Sequence, residues 1–306
     1  MKKINKKERE RLIFYTSIVL LPVIQFIIFY IVVNFRSIMF AFQAYDFDIG
    51  YYFVGFDTFG QTFNALVSDV KVVYGIRNSV ILYVATLVVG TGGAIFFSNY
   101  IYKKCFGHKF FQIALFLPHI VSGIVLTTIY KYFLSDGVPQ IAMLFGVKLN
   151  PLLSTESADS FYYVLIFQLW MGFGTQVLMY TSTMSGISPE VVESASLDGI
   201  TPFRELISIT LPMIYPTFVT FITVGVAGLF TNQMSLYSFF GDAANEKAYT
   251  LGYSLFRQTQ WAGAQLPPRE DLYPIISALG LIFTFIAVPL TFLVKKLMEK
   301  YGPSVE

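Results

Sequence analysis

Apolar residues along this chain gather in six charge-free runs, at 12–34, 80–102, 110–130, 161–187, 212–240 and 273–294. Each is long enough to cross about 30 Å of hydrocarbon, which takes roughly 20 helical residues. Backbone groups in lipid must be bonded within the segment, and the ten-residue alternation of a membrane barrel is absent, so the runs predict six transmembrane helices. The expectation is an all-α integral membrane protein with a single transmembrane domain over 1–306.

Composition agrees. The chain is 55% hydrophobic and 13% charged, with a net charge of +2, whereas soluble domains carry about a quarter charged residues. A near-neutral chain whose basic runs only flank apolar segments lacks the cationic face that nucleic acid requires. The lone Cys105 has no intramolecular disulfide partner and no companions for a metal, and it reads as a small apolar residue beside a basic loop.

Charge then sets orientation. Lys2, Lys3, Lys6, Lys7, Arg9 and Arg11 precede the first run, Lys103, Lys104 and Lys109 follow the second, and Lys295, Lys296 and Lys300 follow the sixth. With six spans all three clusters fall on one side, which the positive-inside rule makes cytoplasmic. Both termini are then cytoplasmic, and 35–79, 131–160 and 241–272 form outer segments with interfacial aromatics such as Tyr45, Tyr51, Tyr52, Tyr130 and Tyr273. The first run is too long for a cleaved signal and no A-x-A site follows, so it reads as a retained anchor.

Several functions are disfavoured. Ion-coupled carriers keep acidic residues or His inside their spans, and only His119 lies there, beside Pro118, where packing is the simpler role. No Gly-Lys pair exists, so no phosphate-cradling loop is present and the chain is not its own motor. Motifs of zinc proteases and serine hydrolases are missing too, and neither a catalytic residue nor a metal site is expected. Pro118, Gly123 and Pro216 fall within or near spans, where they allow a bend or simply suit packing.

Between the fourth and fifth runs the chain reads "ESASLDGITPFRELISITLP" at 193–212. Ser188, Pro189 and Glu190 offer an N-cap, a first-turn Pro and an acid matched to the helix dipole. Gly199 suits a left-handed helix end. Thr201 and Pro202 repeat the cap, and Phe203, Leu206, Ile207 and Leu211 supply an apolar stripe before Pro212 turns the chain back. The spacing predicts a helix, elbow, helix unit outside the membrane over 188–212. Its acidic bias, from Glu190, Glu193, Asp198 and Glu205, fits either a solvated connector or a docking element.

This segment resembles the EAA motif of permease subunits in binding-protein-dependent ABC importers. Glu193, Ala195, Asp198, Gly199, Ile209, Leu211 and Pro212 fall at the matching places, while Ser194 and Ile200 depart from the usual small residues. "FVGFDTF" at 53–59, "RNSV" at 77–80, "LPHIVSGIVLTTIYKYFL", "LWMGFGTQVLMYTSTMSGISPE" and "YTLGYSLFRQ" are similar to sugar-type permeases of the maltose transporter class. The resemblance implies a type I ABC importer permease fold in a prokaryotic cytoplasmic membrane. The expected partners are a second, similar permease, two cytoplasmic ATPase subunits docked on the 188–212 loop, and an extracytoplasmic binding protein that delivers a carbohydrate. ATP and Mg would be bound by the ATPases, with no cofactor on this chain. Another solute class, a non-transporting scaffold that recruits an ATPase, and an ion-coupled carrier are the rival readings.

For the substrate pathway, Gln168, Gly172, Thr175, Met179 and Ser182 form a small and polar stripe at helical spacing, which suits helix packing as well as a sugar-lined path. Gln176, Asn232 and Gln233 could offer amides to hydroxyls, and Trp170 or Tyr180 could stack on a sugar face.

Overall fold

The computed structural model describes residues 6–303, so Lys2 and Lys3 of the first basic cluster lie outside it. Its helices are α1 (Lys7–Phe40), α2 (Asp57–Ser68), α3 (Val70–Tyr102), α4 (His108–Ile120), α5 (Gly123–Leu144) and α6 (Ser160–Ser185). They continue with α7 (Pro189–Leu197), α8 (Pro202–Met213), α9 (Tyr215–Gly228), α10 (Leu236–Phe240), α11 (Leu251–Ala264) and α12 (Tyr273–Tyr301). A short antiparallel hairpin, β1 (Gln43–Asp46) with β2 (Gly50–Phe53), follows α1. Among the described residues four helices are long and apolar enough to span a membrane, or up to six if each of two bent pairs is one span.

The bent pairs fall in the two runs, 110–130 and 212–240, where Pro118, Gly123 and Pro216 allow a bend. Between α4 and α5 the chain turns by 101°, because Val121 and Ser122 are extended and Ser122 starts a new helix, its carbonyl accepting the Leu126 N–H (3.0 Å). Gly123 is therefore a helix start rather than a mid-span kink. Between α8 and α9 the turn is 71° and falls at Ile214, two residues beyond Pro212. Pro216 cannot donate to the Pro212 carbonyl, so the helix breaks ahead of it. At its far end the fifth run stops being helical at Gly228 and resumes only for α10. The 14 residues of α9 rise about 21 Å, short of a full crossing. Irregular backbone at such depth persists only where protein buries it or a cavity hydrates it.

The chain forms two compact units, Met1–Ala65 with Thr259–Ile282, and Leu66–Gln258 with Phe283–Glu306. In the first, none of the apolar window of α1 is buried, and its end is held through Phe40, whose ring meets those of Tyr51 and Tyr273 at 4.8 and 6.2 Å. The Tyr51 hydroxyl donates to the Glu270 carbonyl (3.4 Å). Burial, then the Glu270 charge, pushes the Tyr51 phenol up to about 12.

In the second unit α6 is the central helix. Val164, Phe167, Val177, Tyr180 and Met184 on it are almost fully buried, and α3 is joined to it where Ser98 Oγ donates to the Val177 carbonyl (2.9 Å). One end of this unit is stitched by Asn78, whose amide donates to the carbonyls of Lys247 and Tyr249 (both 2.8 Å), and by the Lys71–Glu246 ion pair (2.9 Å). The opposite end holds the 188–212 segment.

Candidate functional site

The 188–212 segment forms the predicted unit. Asp198 closes α7, and Gly199 adopts φ +68°. The Ile200 N–H then bonds the Ala195 carbonyl (3.3 Å) and the Gly199 N–H bonds that of Ser196 (3.1 Å), the two bonds of a Schellman motif. Nothing lies within 4 Å of a Cβ placed at Gly199, so conformation, not space, demands glycine there. After the elbow, Thr201 is extended, Pro202 takes the first turn, and the Glu205 N–H bonds the Thr201 carbonyl (2.9 Å).

Exposure divides the elbow into two faces. Ala195, Glu205, Leu206, Thr210 and Ile214 are buried, and Ile209, Leu211 and Pro212 half-buried, on the face toward the bundle. Glu190, Glu193, Asp198 and Arg204 are exposed, and so are Leu197 at 89% and Phe203 at 64%. Phe203 stands parallel to Phe96, 6.4 Å between centroids, leaving the apolar stripe to Leu206 and its half-buried neighbours. The one buried acid, Glu205, is bonded by Lys103 at the end of α3, which also lies over the Tyr102 ring (5.7 Å). An exposed leucine at an acidic tip, carried on a backbone that hydrogen bonds hold rigid, has the makings of a docking knob.

A second feature lies at the opposite end. A cavity of about 300 Å³ is lined by Gln168, Asn232, Gln233, Ser235, Tyr237, Ser238 and Phe256, with the buried Met234 beneath. Three of the residues expected to offer polar contacts are thus together. They come from α6 and from the irregular chain between α9 and α10. Met234 and Ser235 take φ +56° and +54°, a costly pair for residues with a Cβ. The turn is held because Asn232 Oδ1 accepts the Met234 N–H (2.8 Å) and Thr250 Oγ1 donates to the Asn232 carbonyl (2.9 Å). A Cβ on Gly252 would sit 2.4 Å from Thr231 backbone atoms, so only glycine lets α11 press on this turn. Amides, hydroxyls and a flanking aromatic ring in one concavity match the chemistry of a polyhydroxylated ligand.

The other candidates lie elsewhere. Trp170 does not line this cavity and meets Phe167 edge-on (6.0 Å). Thr175 is hydrogen-bonded to His119 Nε2. Gln176 is buried with Oε1 unpaired beside Gly90 of α3, and Tyr180 is buried against Phe221. Of the stripe, Met179 and Ser182 are exposed, and Thr175, also exposed, joins α6 to α4 through His119. Among the described residues no cluster of His, Cys, Asp or Glu could hold a metal.

Sequence reasoning gave Lys103 an orienting role alone and passed over Leu197, Ser235, Ser238 and Phe256. Leu197 had a legible signal, an apolar side chain at the tip of an acidic loop. The Lys103–Glu205 pair had none, since nothing in the order of residues joins positions 102 apart.

Residues 106–306 match the family model described as binding-protein-dependent transport system inner membrane component. The multiple sugar-binding transport system permease protein of Streptococcus mutans is 24% identical over 93% of this chain and 95% of its own. A probable ABC transporter permease protein of Mycoplasma pneumoniae is 30% identical over 55% of this chain and 52% of its own, so the chain spans about half the length of that relative. A crystal structure of a bacterial ABC transporter involved in the import of the acidic polysaccharide alginate superposes with TM-score 0.77 at 20% identity, over 96% of this chain and 98% of that one. The likeness is one of fold. With the match covering about two thirds of the sequence, this chain belongs to the binding-protein-dependent transport system inner membrane component family and is a multi-pass protein of the cytoplasmic membrane.

Proposed function

We propose that this chain is a permease subunit of an ATP-driven importer and forms half of a pathway for a carbohydrate. The observation that carries the reading is the elbow: a hydrogen-bonded, ion-paired unit that presents Glu193, Leu197 and Asp198 outward while Ala195 and Glu205 are buried. A loop of this stiffness moves as a body when a docked ATPase closes, and the attached helices rotate with it. The chain is not itself an enzyme in this reading. Two ATPase subunits, with ATP and Mg, supply the energy from the cytoplasmic side, where both termini lie by the charge rule. A second permease completes the pathway and covers α1, none of whose apolar window is buried by the described residues. An extracytoplasmic binding protein delivers the solute; a crystal structure similar in fold holds such a periplasmic protein with an alginate pentasaccharide. The carbohydrate assignment is supported by the polar cavity at Gln168, Asn232 and Gln233 and by relatives named for sugars, galactooligosaccharides and diacetylchitobiose.

The test is to purify the tagged chain from its native cell in mild detergent, identify its companions, and compare Glu193→Lys. An ATPase and a second permease that co-purify, with the ATPase released by the charge reversal, are the expected result. A chain that emerges without an ATPase even after cross-linking would overturn the importer reading.

A further inference from the structure

A cavity that the proposed function leaves unused lies between α9 and α12 in the second unit, at the elbow end. Tyr215 pins the two helices: its hydroxyl donates to the Met298 carbonyl (2.9 Å), and its ring fills the space a Cβ on Gly302 would need. Beside this pin a cavity of about 550 Å³ opens. Its α9 wall is Pro216, Val219, Thr220, Thr223 and Val224. The hydroxyls of Thr220 and Thr223 are spent on the carbonyls of Pro216 and Val219 (2.9 and 2.7 Å), so the wall presents methyl and methylene groups. Val224 is 63% exposed. On the α12 side the cavity meets Lys295 and Glu299, whose charged atoms are 3.8 Å apart. Lys296 and Lys300 on the same two turns leave this helix end with an excess of positive charge.

We propose that this groove binds an anionic phospholipid of the cytoplasmic leaflet, with its phosphate at Lys295 and an acyl chain along the α9 wall. Both parts of the site match one molecule. An apolar channel between two apolar helices at membrane depth is filled by hydrocarbon, because neither water nor a polar solute is stabilised there. Cations at the cytoplasmic end of a span attract anionic headgroups, and Lys295 can keep its stem on the apolar wall while its ammonium reaches the headgroup level. Glu299 repels a second anion, so a headgroup with a single phosphate fits best. The placement in the cytoplasmic leaflet rests on the orientation argued above.

The test uses the full chain, purified in detergent and examined by native mass spectrometry with phosphatidylglycerol and phosphatidylcholine of identical acyl chains. Phosphatidylglycerol should be retained in preference. Lys295→Gln should lower that preference by about fivefold, the effect of one charge near an anionic surface, and leave phosphatidylcholine unchanged. Thr220→Trp, which fills the channel, should release both lipids, and inorganic phosphate should compete for neither. Equal retention of the two lipids, or an unaltered preference in Lys295→Gln, would overturn the proposal. So would cross-linking of Thr220→Cys, in a Cys105→Ser background, to a second permease in native membranes, since the groove would then be a protein interface. None of these readouts involves uptake or ATP hydrolysis, so failure here leaves the importer reading standing, and the reverse holds as well.

Discussion

Lys103 and Glu205, 102 positions apart in the chain, form an ion pair that fastens the elbow to the end of α3, and the Glu205 side chain is only 8% exposed. The first basic loop therefore does more than set orientation. It neutralises the single buried charge of the elbow and ties the elbow to α3 as well as to α9, and the proposed function has motion of the elbow reach both helices. Removing one member of a buried pair strands the other and costs about 3–5 kcal/mol. Lys103 keeps 27% of its side chain in solvent, which puts Lys103→Met near the lower figure. The expected outcome is a lower melting temperature and fewer solute molecules moved per ATP hydrolysed, with partial recovery in Lys103→Glu combined with Glu205→Lys. Normal coupling in Lys103→Met would show that the pair bears no load.

Gly199 is constrained by its φ of +68° and not by neighbours. Gly199→Ala should thus cost about 1–2 kcal/mol, the penalty of the left-handed region for a residue with Cβ, and Gly199→Asn less. Proline cannot reach this φ and would also remove the N–H bonded to Ser196. Gly199→Pro should leave membrane insertion intact and abolish coupled uptake in a normally assembled complex, while Asn retains most of it. Equal uptake in Asn and Pro variants would refute the role of the turn.

The elbow was legible because its signals are local: Pro after a cap residue twice over, and one glycine between two helices. Long apolar runs were legible for the same reason. What the order of residues could not reveal is where a run stops being a helix. Residues 110–130 and 212–240 look continuous in hydropathy, yet Ser122 starts a new helix and Asn232 captures the Met234 amide. The first break is a change of backbone conformation at Val121 and Ser122, and the second has a side chain bonding a backbone N–H; an apolar count registers neither. Gln168, Asn232 and Gln233 were legible as amides and illegible as neighbours, because the turn at Met234 and Ser235 is what brings α6 and the end of α9 onto one cavity.

Asn232 has a structural and a proposed ligand-facing role, and the two can be separated. Asn232→Ala frees the Met234 N–H and should cost about 1 kcal/mol, seen as a lower melting temperature. Asn232→Asp keeps the acceptor for Met234 but alters the group offered to a sugar hydroxyl. The expectation for Asp is unchanged stability with a raised KM for uptake by the reconstituted transporter, and Gln168→Ala should raise KM with no loss of stability. A KM unmoved in both variants would take the cavity off the solute pathway.

Arg269 donates two hydrogen bonds to Asp271 (2.8 and 2.7 Å), and this bonding, aided by the guanidinium charge, holds the Asp271 carboxyl below its ordinary value of 3.8. The sign of the linkage follows: a depressed pKa contributes stability above the ordinary value, and that stability is lost as pH falls through the depressed one. Arg269 also lies over the Trp261 ring (5.7 Å), so the pair can be read optically. In a Trp170→Phe background, Trp261 fluorescence should hold steady from neutral pH to about pH 5 and shift only in more acid solution, together with faster proteolysis of residues 264–272. Asp271→Asn should give the acid-type spectrum already at neutral pH. A transition near neutrality in the parent chain would mean that another group governs the loop, because a carboxylate held down by arginine cannot titrate there.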